Sequence, residues 1–191
     1  MVSNKSKISY LTLISASFLL VLSFCLIRKE VLFLNINFFL VVISFIIGLS
    51  LLLINRKINI IINRKKDRPN NQYKNLFDNI SMHCNIYCWI LYIFSLSCFE
   101  EIIFRFYLIN WLIQWVTPLI ACLVSSIVFS LAHLRRLQII QLTLMGFCFS
   151  ILYLKTDNII YPIIAHFTNN FIIYLLLRKK YISINKTHIV I

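Results

Sequence analysis

Apolar residues run along this chain in blocks of about twenty, the length that crosses a bilayer core as a helix, and short charged stretches separate them. The blocks are Ile8 to Ile27, Val31 to Ile54, a third within 84–112, Pro118 to about Leu134, Leu137 to Leu154 and Ile159 to Leu177. The breaks are Arg28-Lys29-Glu30, Arg135-Arg136, Lys155-Thr156-Asp157-Asn158 and Arg178-Lys179-Lys180. This pattern predicts an all-α fold: a polytopic transmembrane helical bundle of about six spans. Pro118 and Pro162 fall in first turns, where a missing N–H costs little. Trp111 and Trp115 read as an interfacial anchor at the far end of the third span. The first block begins like a signal sequence, but it is long and ends without a clear small-residue cleavage site, so a retained helix is expected.

Residues 55–79 form the one long polar loop, crowded with Arg and Lys, and its segment Ile58 to Ile62 is expected to lie along the membrane surface. The chain therefore divides into residues 1–80, two N-terminal helices and a basic loop, and residues 81–191, a core of about four spans with a short basic tail.

Composition agrees: 60% of residues are hydrophobic and the mean hydropathy is +0.85, which excludes an ordinary soluble domain and a disordered chain. The net charge of +13 is loop charge and not a nucleic-acid footprint, because the basic residues lie between spans. With six spans, 15 of the 19 Lys and Arg residues fall on the side holding both termini. Three (Arg28, Lys29, Lys155) fall on the other, and Arg105 is inside a span. That bias predicts a multi-pass protein of the plasma membrane with both termini cytoplasmic. The six cysteines are scattered through apolar runs and read as small buried hydrophobes. His83, Cys84 and Cys88 could share a helical face, but a fourth metal ligand is missing.

Candidate chemistry comes from charges that a membrane span does not need. A charge at bilayer depth costs roughly 2.5–3.5 kcal/mol even on insertion scales, yet the third span holds Glu100, Glu101 and Arg105. Glu101 and Arg105 are four apart and can pair on one helical face. Glu100 points about 100° away, with no local partner, and needs a proton, a cation or a wet cavity. His133 lies one turn after Phe129, and His166 one turn before Asn170. Singly, His133 reads as an interfacial or core histidine, and His166 with Asn170 as an interhelical clasp. Together they make one unpaired glutamate, two histidines and an asparagine on spans with few other ionisable groups.

Glu-Glu-x-x-x-Arg at 100–105, Phe-x-x-x-His at 129–133 and His-x-x-x-Asn at 166–170 resemble, in order, the three motifs of the CPBP family of intramembrane proteases. This is the type II CAAX prenyl endopeptidase, Abi and bacteriocin-processing group. The resemblance covers roughly residues 85–177. It implies peptide-bond hydrolysis in a cytoplasm-facing cavity inside the membrane. Glu100 and His133 would activate water, His166 and Asn170 would bind the oxyanion, and Glu101, Arg105 and Phe129 would support the site. No cofactor is the preferred reading. Zinc on Glu100, His133 and His166 is the alternative, weighed against by the lack of His-Glu-x-x-His and by the loss of Glu100 as a base. The expected substrate is a membrane-associated protein or peptide in an AT-rich bacterium, with membrane lipid around the protein and no obligate protein partner. A non-catalytic bacteriocin immunity or regulatory protein binding a peptide in the same cavity is the second reading. A proton-coupled transporter is a third, disfavoured by the missing internal repeat.

Two features sit uneasily with the resemblance. Phe106 stands where the family often has glycine and is expected to narrow the cavity. Glu100 is about sixteen residues or roughly 24 Å into a span that starts near Asn85, so it meets a surface-level His133 only if the cavity is deep, the third helix starts later, or helices tilt or break.

Overall fold

The structure, a computed structural model, describes residues 4–26, 36–63, 85–133 and 138–187. Six helices occupy these segments: α1 (Asn4–Leu26), α2 (Phe38–Asn63), α3 (Ile86–Leu112), α4 (Pro118–Ala132), α5 (Ile139–Thr156) and α6 (Ile160–Thr187). No strand occurs among the described residues. Helices α3, α5 and residues Ile160–Arg178 of α6 are long and apolar enough to cross a membrane; α1, α2 and α4 contain shorter apolar stretches. The fold is therefore an all-α bundle of membrane character, as the hydrophobic blocks predict.

Two boundaries differ from the sequence pattern. Helix α2 runs on to Asn63, so the Ile58–Ile62 segment continues the helix instead of forming a separate surface piece. All six of its residues from Ile58 onward are apolar or amide-bearing, and no proline or glycine interrupts the turn at Arg56-Lys57. Helix α6 likewise continues through Arg178-Lys179-Lys180 to Thr187. A charged run ends a membrane span, but lysine and arginine are good helix formers and need not end the helix. Most of the polar loop, with His83 and Cys84, lies outside the described residues, as do Arg135 and Arg136.

The bundle is polar-in and apolar-out compared with a soluble protein. Phe18, Phe39, Leu53, Leu123, Leu131 and Ile140 face outward, while Ser95, Ser97, Ser125, Ser126, Ser130 and Ser150 are buried at helix contacts. Lipid covers apolar side chains at no cost, so small residues that allow close approach take the interior. Three of these hydroxyls are satisfied within their own helix: Ser95 donates to the Leu91 carbonyl at 2.6 Å, Ser126 to Cys122 at 2.6 Å and Ser150 to Gly146 at 2.9 Å. Cys88, Cys98 and Cys122 are buried as expected. Cys25 and Cys148 are instead exposed on the outer surface, where a weakly polar thiol costs little against lipid.

Helix α1 packs along α3, α2 along α6, and α4 along α5, with α3 and α6 in contact between them. Both glycines of the chain stand at close approaches in this packing. A Cβ on Gly48 would meet the Ala165 carbonyl oxygen at 2.5 Å and Thr168 Cβ at 3.0 Å, so α2 rests backbone-to-backbone on α6 beside His166. Gly48→Ala is expected to push these helices apart and to lower stability in detergent by about 1–3 kcal/mol, the cost of overpacking a tight contact. Thermal unfolding of the solubilised variant measures it; an unchanged midpoint would show that the contact relaxes freely.

Candidate active site

Helix α3 changes its winding where the charges are. Ile86–Glu101 is α-helical, Ile102–Ile109 is a π-helix, and Asn110–Leu112 closes as α-helix. Wider π turns mark functional sites and leave backbone groups that need partners from elsewhere. One such carbonyl, that of Phe104, accepts a hydrogen bond from Ser125 of α4 at 2.6 Å. Phe106, in this π segment, packs with Ile102, Ile109 and Ile163 in an apolar cluster, so its ring serves the seating of the π turn.

Glu101 and Arg105 form the expected ion pair, Oε2 to Nε at 3.1 Å, and both are fully buried. The guanidinium also donates to the Gly146 carbonyl of α5 at 3.1 Å and lies over the Phe129 and Phe149 rings, 4.5 and 5.6 Å from their centroids. Gly146 permits this approach, since a Cβ there would stand 3.1 Å from Nη2 and 3.2 Å from the Phe129 ring. Arg105 thus ties α3 to α5 with the charge-assisted bonds and ring faces that a guanidinium can use together.

The other carboxylate oxygen of Glu101 accepts from His166 Nδ1 at 2.7 Å. A carboxylate offers no proton here, so Nδ1 carries one and Nε2 is left facing Glu100 Oε2 at 3.5 Å. The imidazole is stacked on Phe149, centroids 5.1 Å apart, and its edge meets Phe129 at 5.9 Å. His133 is fixed by the same logic. Its Nδ1 lies 2.8 Å from the Phe129 carbonyl, which can only accept, so Nε2 faces Glu100 Oε1 at 3.9 Å. Its ring packs 4.6 Å from that of Phe129. Phe129 therefore orients one histidine through its carbonyl and packs on both with its ring.

Glu100, His133 and His166 thus meet, although they come from three helices. The depth conflict disappears once levels are counted from the α3–α4 turn. Helix α4 has only 15 residues, so His133 stands about 22 Å from that turn, and Glu100, twelve residues before Leu112, about 18 Å. Helix α4 ends inside the thickness that α3 spans. Glu100 and His133 are partly exposed, at 15% and 24%, whereas His166 is buried. The accessible side of the site is therefore the one that Glu100 and His133 line.

Asn170 is half-buried, one turn beyond His166 on α6. Its side-chain oxygen accepts from Asn169 Nδ2 at 3.4 Å. The sequence reading missed three participants: Phe149 under His166, the carbonyl of Gly146, and Asn169. Gly146 alone carried a signal, as one of only two glycines in the chain.

Glu100, His133 and His166 have the donor types that zinc accepts. Among the described residues, however, no group of three His, Cys, Asp or Glu side chains is arranged to hold a metal ion.

Comparison with known proteins bears on the same segment. The chain is 38% identical over 71 residues to a Bacillus subtilis (strain 168) protein named "Putative membrane peptidase YdiL". That match spans 37% of this chain and 29% of the relative, so less than a third of the relative's length is represented. No solved structure matches the chain. Residues 82–172 match the family described as "Type II CAAX prenyl endopeptidase Rce1-like". That interval contains Glu100, His133, His166 and Asn170 with their supporting contacts, so the similarity to the Rce1-like family of type II CAAX prenyl endopeptidases falls on the candidate site.

Proposed function

We propose that this chain is an intramembrane endopeptidase that hydrolyses a peptide bond in a membrane-associated protein or peptide. The observation that carries this reading is one carboxylate, Glu100, facing the Nε2 atoms of two histidines whose Nδ1 atoms are already committed. At 3.5 and 3.9 Å these separations are longer than hydrogen bonds. The three groups are held near one another without being consumed by one another.

In the proposed reaction Glu100 takes a proton from water as its oxygen attacks the scissile carbonyl, with His133 sharing that proton. His166 and the Asn170 amide donate to the carbonyl oxygen as it becomes an oxyanion. When the tetrahedral centre collapses, the C–N bond breaks and the proton passes from Glu100 or His133 to the leaving amine. With Nδ1 given to Glu101, His166 donates from Nε2 as an imidazolium. Charge balance supports that form. Two carboxylates and one guanidinium sum to one negative charge, and a proton on the imidazole between the carboxylates cancels it. Glu101 and Arg105 act on structure: one holds His166, the other locks α3 to α5.

The orientation follows the basic residues, with the termini and the open side of the site in the cytoplasm of a bacterial plasma membrane. The substrate is a membrane-anchored tail, a leader peptide or a bacteriocin-type peptide, with lipid as the only other partner and no nucleic acid. Comparing peptide termini in membranes of cells that express the native protein or Glu100→Gln tests this. New termini should appear with the native protein alone. A native phenotype, such as immunity, that survives in Glu100→Gln would mean the cavity works by binding. Stoichiometric zinc in the purified protein would replace the metal-free mechanism.

A further inference from the structure

We propose that Asn169 is a positioning residue, one that sets which end of the Asn170 amide is presented to substrate. This rests on the reading of Asn170 as an oxyanion donor. Adjacent helical residues point about 100° apart and do not normally meet. Here Asn169, which is 1% exposed, turns its NH2 toward two acceptors at once: Met145 Sδ on α5 at 3.3 Å and Asn170 Oδ1 at 3.4 Å. Its own oxygen is buried without a hydrogen bond.

The opposite amide orientation is worse. It would place the Asn169 oxygen against two acceptors and leave both of its N–H donors in an apolar setting. Met145 therefore selects the face of the Asn169 amide, and Asn169 selects that of Asn170. With its oxygen held, Asn170 keeps its NH2 free on the stripe of α6 that carries His166. A free carboxamide could equally present its oxygen, which would repel an oxyanion.

Asn169→Leu removes the donor while keeping the volume against Met145. It also deletes a buried, unpaired acceptor, so the variant should be at least as stable as the native protein. The assay substrate is a fluorogenic peptide spanning a cleavage site found in the membrane-terminus comparison. We expect kcat to fall about tenfold, the effect of one orienting hydrogen bond, with KM unchanged. In an Asn170→Leu background the same substitution should cost less than about twofold, because its route to the reaction is gone. A full additional loss in the double variant would assign Asn169 a purely structural role and overturn the proposal, as would an unchanged kcat in Asn169→Leu. The Asn170 side-chain amide resonances in micelles give a readout without turnover, and Asn169→Leu should shift them. If no substrate were cleaved but that shift appeared, the protease reading would fail while the orientation of Asn170 by Asn169 stood. An absent shift would remove the orientation itself.

Discussion

Arg105→Met is expected to destabilise the solubilised protein by about 3–5 kcal/mol, the cost of removing one member of a buried ion pair. Glu101 would keep its charge, fully buried, with only His166 to answer it. The Gly146 carbonyl would lose its donor, and the Phe129 and Phe149 rings the cation between them. The magnitude comes from the orphaned carboxylate and not from the net strength of the pair, and a second variant separates these. Glu101→Gln with Arg105→Met deletes both charges, while the glutamine oxygen can still accept from His166 Nδ1. The double variant should regain at least half of the lost stability. If it were as unstable as Arg105→Met alone, the guanidinium's contacts to α5 would be the main stabilising element. Unfolding in mixed micelles, followed by helical signal against denaturant, reads all three proteins.

The sequence showed the bundle more readily than the wiring of its centre. Hydrophobic length is a strong signal because the bilayer leaves few ways to satisfy a backbone, and six apolar blocks became six helices. The Glu101–Arg105 pair followed from spacing alone, since residues four apart share a helical face. Glu100 having no local partner was also readable, and its two histidines come from other helices. What spacing could not give was the second partner of Glu101. A bond between positions 101 and 166 depends on how α3 and α6 pack, which one sequence does not state. How His133 reaches Glu100 was likewise not legible from spacing. It depends on the length of α4, 15 residues, and on how that helix lies along α3. The π turn at 102–109 left no composition signal either, because its residues are as apolar as those of an ordinary span.

The two glycines link packing to chemistry. Gly146 lets the guanidinium of α3 reach the backbone of α5, and Gly48 lets α2 sit on the backbone of α6 at Ala165, one residue before His166. A chain with only two glycines has placed both where a methyl group would move a helix bearing a site residue. Close packing here sets the distance between Glu100 and the imidazoles as well as the stability of the bundle, because α3 and α6 are both held through such contacts.

Glu100→Gln should lower the hydrolysis rate by about 10²–10⁴-fold, the range that a positioned general base contributes, without loss of folding. Glutamine keeps the shape of the side chain and removes its proton-accepting charge. Glu100 is not the partner of Arg105, which pairs with Glu101, and its separations from the two histidines, 3.5 and 3.9 Å, are longer than hydrogen bonds, so the change breaks no hydrogen-bonded pair. Glutamine also has no charge to desolvate, and the proton on His166 can leave with it, so thermal stability should change little. His133→Gln should produce a smaller loss, because Glu100 can still take the proton. The double variant should be no slower than Glu100→Gln, since groups that handle one proton as a unit do not lose rate additively. Single-turnover cleavage of the same fluorogenic peptide, under conditions where enzyme exceeds substrate, isolates the chemical step. Full activity in Glu100→Gln would exclude this carboxylate as the base. Strictly additive losses in the double variant would mean that His133, 3.9 Å away, works on a different step.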